Sequence, residues 1–401
     1  MESRFKMAAN SNRFALYVLM FNMFIAMSGI GLIIPIMPAY LDTFGAAGQV
    51  LGLLIAMFAF AQFLFSPISG DLSDKFGRKY LIIIGLVIFG LSQLMFGLAT
   101  ELWVLFLARF FSGLGSAFLV PPMMAFVADI TTVEERGKGM GLLGASMSLG
   151  FMIGPAIGGF LAEVSLQFPF YIATTAALVS ATISAFVLPN TKPPMVEPGK
   201  ERKRENIFKQ MKRSTTMPYF IMLIVMLVFS FGLANFQSTI ALYVDKKYGF
   251  TPGEIAVIIT AGGFVGVIVQ TFVINKLFKR FGEMKVILVN LIVSAIAMSA
   301  VLFVDGFWPI LIVASVFFTA ASLLRPAINT LISKMAGNEQ GFAAGMNNAY
   351  MSLGNMIGPA LAGFLFDVNM SFPYIAGTII LMISFFIAYA SQRKASNALL
   401  L

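Results

Sequence analysis

The 401-residue chain has no cysteine and no histidine. Without cysteine there can be no disulfide, thiol nucleophile or thiolate metal site. Without histidine, the side chain that most often moves protons near neutral pH is missing. Charge is scarce too: Asp, Glu, Lys and Arg make up 11% of residues, against about a quarter in a soluble domain. No glycine-rich phosphate loop is present, so an ATP-driven machine is not expected. Neither a cofactor nor a metal is expected. The start, MESRFKMAANSNR, is short and polar and leads into a full-length apolar run, so no cleavable signal is expected.

What is present is apolar. Hydrophobic residues make up 59% of the chain, with 42 Phe and 36 Gly, and the mean hydropathy is +0.88. That composition belongs to an integral membrane protein, with phenylalanines for lipid and glycines for close helix approach. A spanning helix needs roughly 20 apolar residues. By that length, twelve spans are predicted at 14–39, 49–69, 80–98, 102–127, 140–162, 168–188, 217–243, 253–276, 285–304, 308–331, 343–365 and 371–390. The fold class is therefore all-α and membrane-embedded.

Basic residues set the predicted orientation. With the N-terminus inside, 23 of the 27 Lys and Arg fall on the cytoplasmic side, and only Lys246 and Lys247 fall outside. Arg109 and Arg325 lie within spans. Both termini are thus expected to be cytoplasmic, in the cell membrane. This distribution accounts for the +9 formal charge and argues against nucleic acid as a partner.

The chain is a duplication. GASMSLGFMIGPAIGGFLAEVSLQFP (144–169) recurs as NAYMSLGNMIGPALAGFLFDVNMSFP (348–373), with 16 of the last 25 positions identical. The expected domains are an N-terminal six-helix half (1–189), a basic linker (190–216) and a C-terminal six-helix half (217–401). The linker reads either as a tether for anionic lipid headgroups or as a solvated connection. Parallel repeats of this kind enclose a central site near the bilayer midplane and expose it alternately by rocking.

Between spans 2 and 3 lies GDLSDKFGRK (70–79), which crowds charges and glycines into a turn too short for a domain. The pattern resembles the signature loop of the major facilitator superfamily. GIGLIIPIMP (29–38), RFFSGLGSA (109–117) and GFMIGPAIGG (150–159) resemble the first-, fourth- and fifth-helix motifs of its twelve-helix drug:proton antiporters. The likeness extends over nearly the whole chain to the fluoroquinolone- and dye-exporting pumps of Gram-positive bacteria, so the resemblance implies efflux and antibiotic resistance. It also implies roles for residues. Asp74 would cap the cytoplasmic start of helix 11, Arg78 and Asp129 would join it in a gating charge relay, and Asp71 in the same loop is a further gating candidate. Arg109 would be the buried arginine linked to proton transfer. Gly150, Gly154, Pro155, Gly158 and Gly159 would let helix 5 pack against helix 8 of the other half. Gly354, Gly358 and Pro359 are their counterparts in the repeat.

The sequence departs from that family in one respect. Helix 7 of the relatives carries a glutamate where Gln237 stands, and helix 10 an aspartate where Ser322 stands. No carboxylate lies at mid-membrane. The polar residues Asn235, Gln237 and Ser238 within span 7 would either line a cavity or bond between helices. Further cavity candidates are Asn22, Gln62, Asn329, Asn347 and Tyr350, with Phe58 and Phe236 as stacking surfaces and Arg325 as a fixed positive charge. The expected function is secondary export of small amphipathic compounds by a monomer, coupled to protons and surrounded by lipid. An exporter or facilitator of an anionic or lipid-like metabolite is the alternative within transport. A receptor or scaffold that kept the fold but lost turnover is the alternative outside it. No enzymatic step is expected.

Overall fold

A computed structural model describes residues 2–46, 48–190, 207–337 and 339–398. Among them every regular element is helical. Twelve helices are long and apolar enough to cross a membrane. Spans 1 to 6 are Arg13–Asp42, Gly48–Ser66, Arg78–Gly97, Leu102–Ile130, Lys138–Ala162 and Phe168–Val187. Spans 7 to 12 are Phe220–Tyr248, Pro252–Phe272, Glu283–Ala300, Phe307–Ala336, Phe342–Val368 and Phe372–Arg393. Each overlies one predicted span within a few residues. Most of the predicted linker, 191–206, lies outside the described residues, and a short helix, Ile207–Ser214, follows it.

Local chemistry explains where the helices start and break. Thr251 opens span 8 with a capping box: its hydroxyl accepts the Glu254 N–H, and the Glu254 carboxylate accepts the Thr251 N–H at 2.8 Å. Gly249, at φ 68°, closes span 7 in the left-handed conformation. Span 4 is interrupted at Phe118–Leu119, just ahead of Pro121 and Pro122, which lack the N–H a continuing helix needs. Large apolar side chains such as Phe186, Phe272 and Trp308 stand exposed on the helices, as a lipid-facing surface requires.

The helices pack into two compact units. One holds spans 1 and 3–6 with most of span 2; the other holds spans 7–12 with the first turns of span 2, Ala46–Ala56. The duplication is built twice in the same way. Span 1 packs on span 5, span 3 on spans 4 and 6; correspondingly, span 7 packs on span 11 and span 9 on spans 10 and 12.

Glycines make the first of these pairings possible. A Cβ on Gly150, Gly154 or Gly158 would lie 2.5, 2.6 and 2.1 Å from the carbonyl oxygens of Phe24, Ser28 and Leu32. In the second unit, a Cβ on Gly354 or Gly358 would lie 2.4 and 2.6 Å from those of Leu227 and Phe231. The helix backbones touch, so no side chain fits between them. The Cβ direction of these span 5 glycines is thus filled by span 1 of the same half. Gly159 and Pro155 are buried in the same helix, and the Pro155 ring lies 3.0 Å from the Cβ position of Gly31. Pro359 sits at a further crossing, where a Cβ on Gly52 would come 2.1 Å from its carbonyl oxygen.

Candidate functional site

The loop between spans 2 and 3 turns on Gly77, whose φ of 98° admits little but glycine. Arg78, the next residue, is nearly buried. Its Nη1 donates to Ser73 Oγ at 2.6 Å and pairs with Asp74, and its Nε donates to Asp129 Oδ2 at 3.1 Å. The relay implied by the motif is thus assembled around one guanidinium, whose planar fork can serve two carboxylates at once. The Asp71 side chain lies outside the described residues.

Arg109 is buried in span 4 with its guanidinium carbon 5.3 Å from the centre of the Phe96 ring. Its Nε is buried without a hydrogen-bond partner, and no described carboxylate pairs with it. A ring face offsets part of the cost of burying a cation. Phe96 carries no sequence pattern that would have singled it out.

The polar stretch of span 7 divides into two kinds of residue. Asn235 is fully buried and donates to the Pro373 carbonyl at 3.0 Å, while Ser238 and Thr239 donate back to the Asn235 carbonyl. Phe236 is fully buried against Phe317, with ring centroids 3.9 Å apart. These residues serve helix packing: a buried polar group takes the nearest partner on a neighbouring helix. Gln237 differs. It is half-buried and bonds to no described residue.

The other candidates divide similarly. Asn22 is fully buried and donates to Ser184 Oγ at 2.7 Å, and Tyr350 is buried with its hydroxyl 3.0 Å from Ser214 Oγ. Both are interhelical ties, which corrects their reading as cavity lining. Gln62 donates to Ser116 Oγ at 3.0 Å and remains half-buried, as does Phe58. Asn347 Nδ2 donates to Asn329 Oδ1 at 2.8 Å, and Asn329 is exposed. Arg325 is half-buried, and Ser322, one turn earlier, donates to the Gly266 carbonyl at 3.0 Å.

Carboxylates occur only near span ends or beyond them. Several are already engaged there: Asp129 by Arg78, Glu283 by Lys334 at 2.6 Å, and Glu339 by Arg213 at 2.5 Å. A hydrogen bond from the Tyr248 hydroxyl, and then one from Lys247, hold the exposed Asp305 carboxyl below the ordinary carboxylate range. Asp305 therefore stays ionised to lower pH than a free carboxylate, and the stability it lends is lost only as pH falls through that lowered value. Asp367, which no sequence motif marks, accepts the N–H groups of Gly48 and Gln49, both at 2.8 Å. It thereby caps the first turn of span 2. The one available signal was Gly363, the repeat partner of Gly159, whose Cβ position lies 2.2 Å from the Gly48 carbonyl oxygen.

Comparisons with known proteins agree with this architecture. The family model of the Major Facilitator Superfamily matches residues 19–273 and 222–398. The chain is 40% identical to Multidrug resistance protein 2 of Bacillus subtilis over 98% of its own length and 99% of that protein's. It is 36% identical to Quinolone resistance protein NorA of Staphylococcus aureus over 92% and 96%. Among solved structures it resembles a bacterial homologue of the human lysosomal transporter Spinster, with TM-score 0.77, 16% identity and coverage of 95% and 97%. It also resembles the human organic anion transporter MFSD10, with TM-score 0.69, 17% identity and coverage of 94% and 99%.

Proposed function

The chain belongs to the Major Facilitator Superfamily, and from that premise we propose that this multi-pass membrane protein is a secondary exporter of amphipathic, drug-like compounds. The observation that carries the reading is 40% identity to a multidrug resistance protein over 98% of the chain, joined to two halves built on the same glycine crossings. Touching backbones make each half a stiff body, and stiff bodies suit rocking better than local opening. Both termini would face the cytoplasm of the cell carrying it in its plasma membrane, as the basic residues favour. The protein would act as a monomer, moving solutes without covalent chemistry.

The parts divide by role. Arg78, with Asp74 and Asp129, would hold one state closed and release it during the cycle, Asp74 also capping helix 11 in that state. Gln237, Gln62, Phe58, Asn329, Asn347 and Arg325 would meet the substrate: Asn329 is exposed, Asn347 is bonded to it, and the rest are half-buried. Protons would couple weakly. A coupling group must change protonation between the two faces, and an acid near a span end stays ionised at both unless closure buries it. Asp129 is the best placed such acid.

Gln237→Glu tests the substrate assignment. It puts a negative charge where Gln237 bonds to no other described side chain. An opposite charge about 4 Å away is worth ~4 kcal/mol at an effective dielectric near 20, before desolvation. Even a fraction of that should tighten binding of a cationic dye such as ethidium several-fold in a titration of the purified protein. Unchanged or weaker binding would place Gln237 away from the substrate.

A further inference from the structure

Arg325 lies 11 residues from the Ala336 end of span 10 and 18 from the Phe307 end, about 16 and 27 Å at the rise of an α-helix. It is therefore deep in the membrane. Span 10 itself contains no acid. The acid on span 8, Glu254, is 12 residues from Gly266, and the acid on span 11, Asp367, is 20 residues from Asn347, about 18 and 30 Å along their helices. On span 9, Glu283 is held by Lys334, nine residues along span 10 from Arg325. The acid on span 7, Asp245, lies at that helix's end. No described side chain bonds to the guanidinium.

The neighbours of Arg325 are polar and arranged. Ser322, Arg325 and Asn329 fall within about 60° of one another around the helix axis. Ser322 touches span 8 through the Gly266 carbonyl, and Asn329 touches span 11 through Asn347. Arg325 thus lies on a polar stripe bordered by both helices. Asn347 is more than nine-tenths buried, with its Nδ2 on Asn329 and its Oδ1 without any partner. A buried acceptor left open on the residue bonded to Asn329, and an unpaired guanidinium one turn before Asn329, are each expensive. Both are answered by one kind of visitor: an oxyanion for the arginine, carrying an N–H or O–H nearby for the asparagine. Guanidinium remains protonated under all ordinary conditions and binds planar carboxylates and phosphates through paired hydrogen bonds.

We propose that Arg325, with Asn329 and Asn347, anchors the anionic group of the transported molecule, so that the protein selects amphipathic carboxylates or phosphates over cations. The proposal rests on the exporter reading above and names its substrate class. It also gives Ser322 a purpose: a carboxylate there, one turn before Arg325, would compete with the visiting anion.

The experiment uses three fluorescent probes on the full-length protein in phosphatidylcholine vesicles: dansyl-undecanoic acid, its methyl ester and rhodamine 6G. The wild type should bind the acid about tenfold or more tightly than the ester. Arg325→Gln should abolish that preference, the acid losing affinity about tenfold more than the ester does; Arg325→Lys should restore part of it; Asn347→Leu should reduce it. Equal binding of acid and ester by the wild type overturns the proposal, whether or not Arg325→Gln folds. So does an acid preference that survives in a folded Arg325→Gln. Phosphatidylglycerol in the vesicles separates the two sources of such an anion. If it weakens acid binding in the wild type but leaves the ester alone, a lipid phosphate shares the site; if it does neither, the ligand is a free solute. Export of rhodamine with no acid preference would defeat the anchor and leave the exporter standing. Binding of the acid without export of any probe would do the reverse.

Discussion

Gly158→Val should prevent the protein from accumulating in a folded form. The added Cβ would sit 2.1 Å from the Leu32 carbonyl oxygen and 2.7 Å from its carbonyl carbon and Cα. These are backbone atoms, so no rotamer change can clear the space. Overpacking a well-fitted site typically costs 1–3 kcal/mol, and more when backbone must move; the total available is about 5–15 kcal/mol. A fused contact along spans 1 and 5 would spread the displacement over several turns. Gly144→Ala is the control, because nothing lies within 4 Å of its Cβ position. In detergent, the valine variant should elute as aggregate while the alanine variant keeps the wild-type profile and melting temperature. A valine variant with an unchanged melting temperature would mean that the two helices do not touch there.

Arg78→Gln should stop transport while sparing the fold. The substitution leaves Asp74 and Asp129 facing each other across the space the guanidinium filled. Asp74 is half exposed, so water screens much of its repulsion; the Asp129 side chain is 24% exposed and carries more of the loss. The stability change should therefore be modest, with flux reduced about tenfold or more, the equivalent of 1.4 kcal/mol in a gating step. Arg78→Lys should rescue poorly, because a point charge cannot bridge two carboxylates as a planar fork does. Asp74→Asn should slow flux with ligand binding retained. Flux in reconstituted vesicles beside dye binding by the same preparation separates gating from affinity. Wild-type flux in Arg78→Gln and Asp74→Asn would reduce the loop to a topological anchor.

The spans were legible because each is a long apolar run broken by charge or proline, a signal that needs no tertiary information. The repeat was legible for the same reason: Gly150 and Gly154 recur as Gly354 and Gly358 in an ungapped copy. Which neighbour those glycines face was not legible, because small residues announce a close approach without naming the other helix. The grouping of Asp74, Arg78 and Asp129 was legible through the resemblance to the family's signature loop and not through helical spacing, because the chain turns on Gly77 between Asp74 and Arg78. Polar residues inside spans were the hardest to sort. Asn235 and Gln237 are two positions apart on one helix, yet one is fully buried on the Pro373 carbonyl and the other is half-buried and unbonded. Only packing decides between them, because a helix turns about 100° per residue. Asp367 was missed because its partners are backbone N–H groups more than 300 positions away, which no side-chain pattern marks.

Without a mid-membrane carboxylate, this exporter should bind its movement only loosely to protons. Flux of an amphipathic probe through reconstituted vesicles, with and without an inward proton gradient, tests it most directly. Measurable downhill flux is expected when no gradient exists and modest stimulation when one is imposed, with Asp129→Asn removing that stimulation. Flux that depends strictly on the gradient, and still does so in Asp129→Asn, would contradict it and require a proton site elsewhere in the chain.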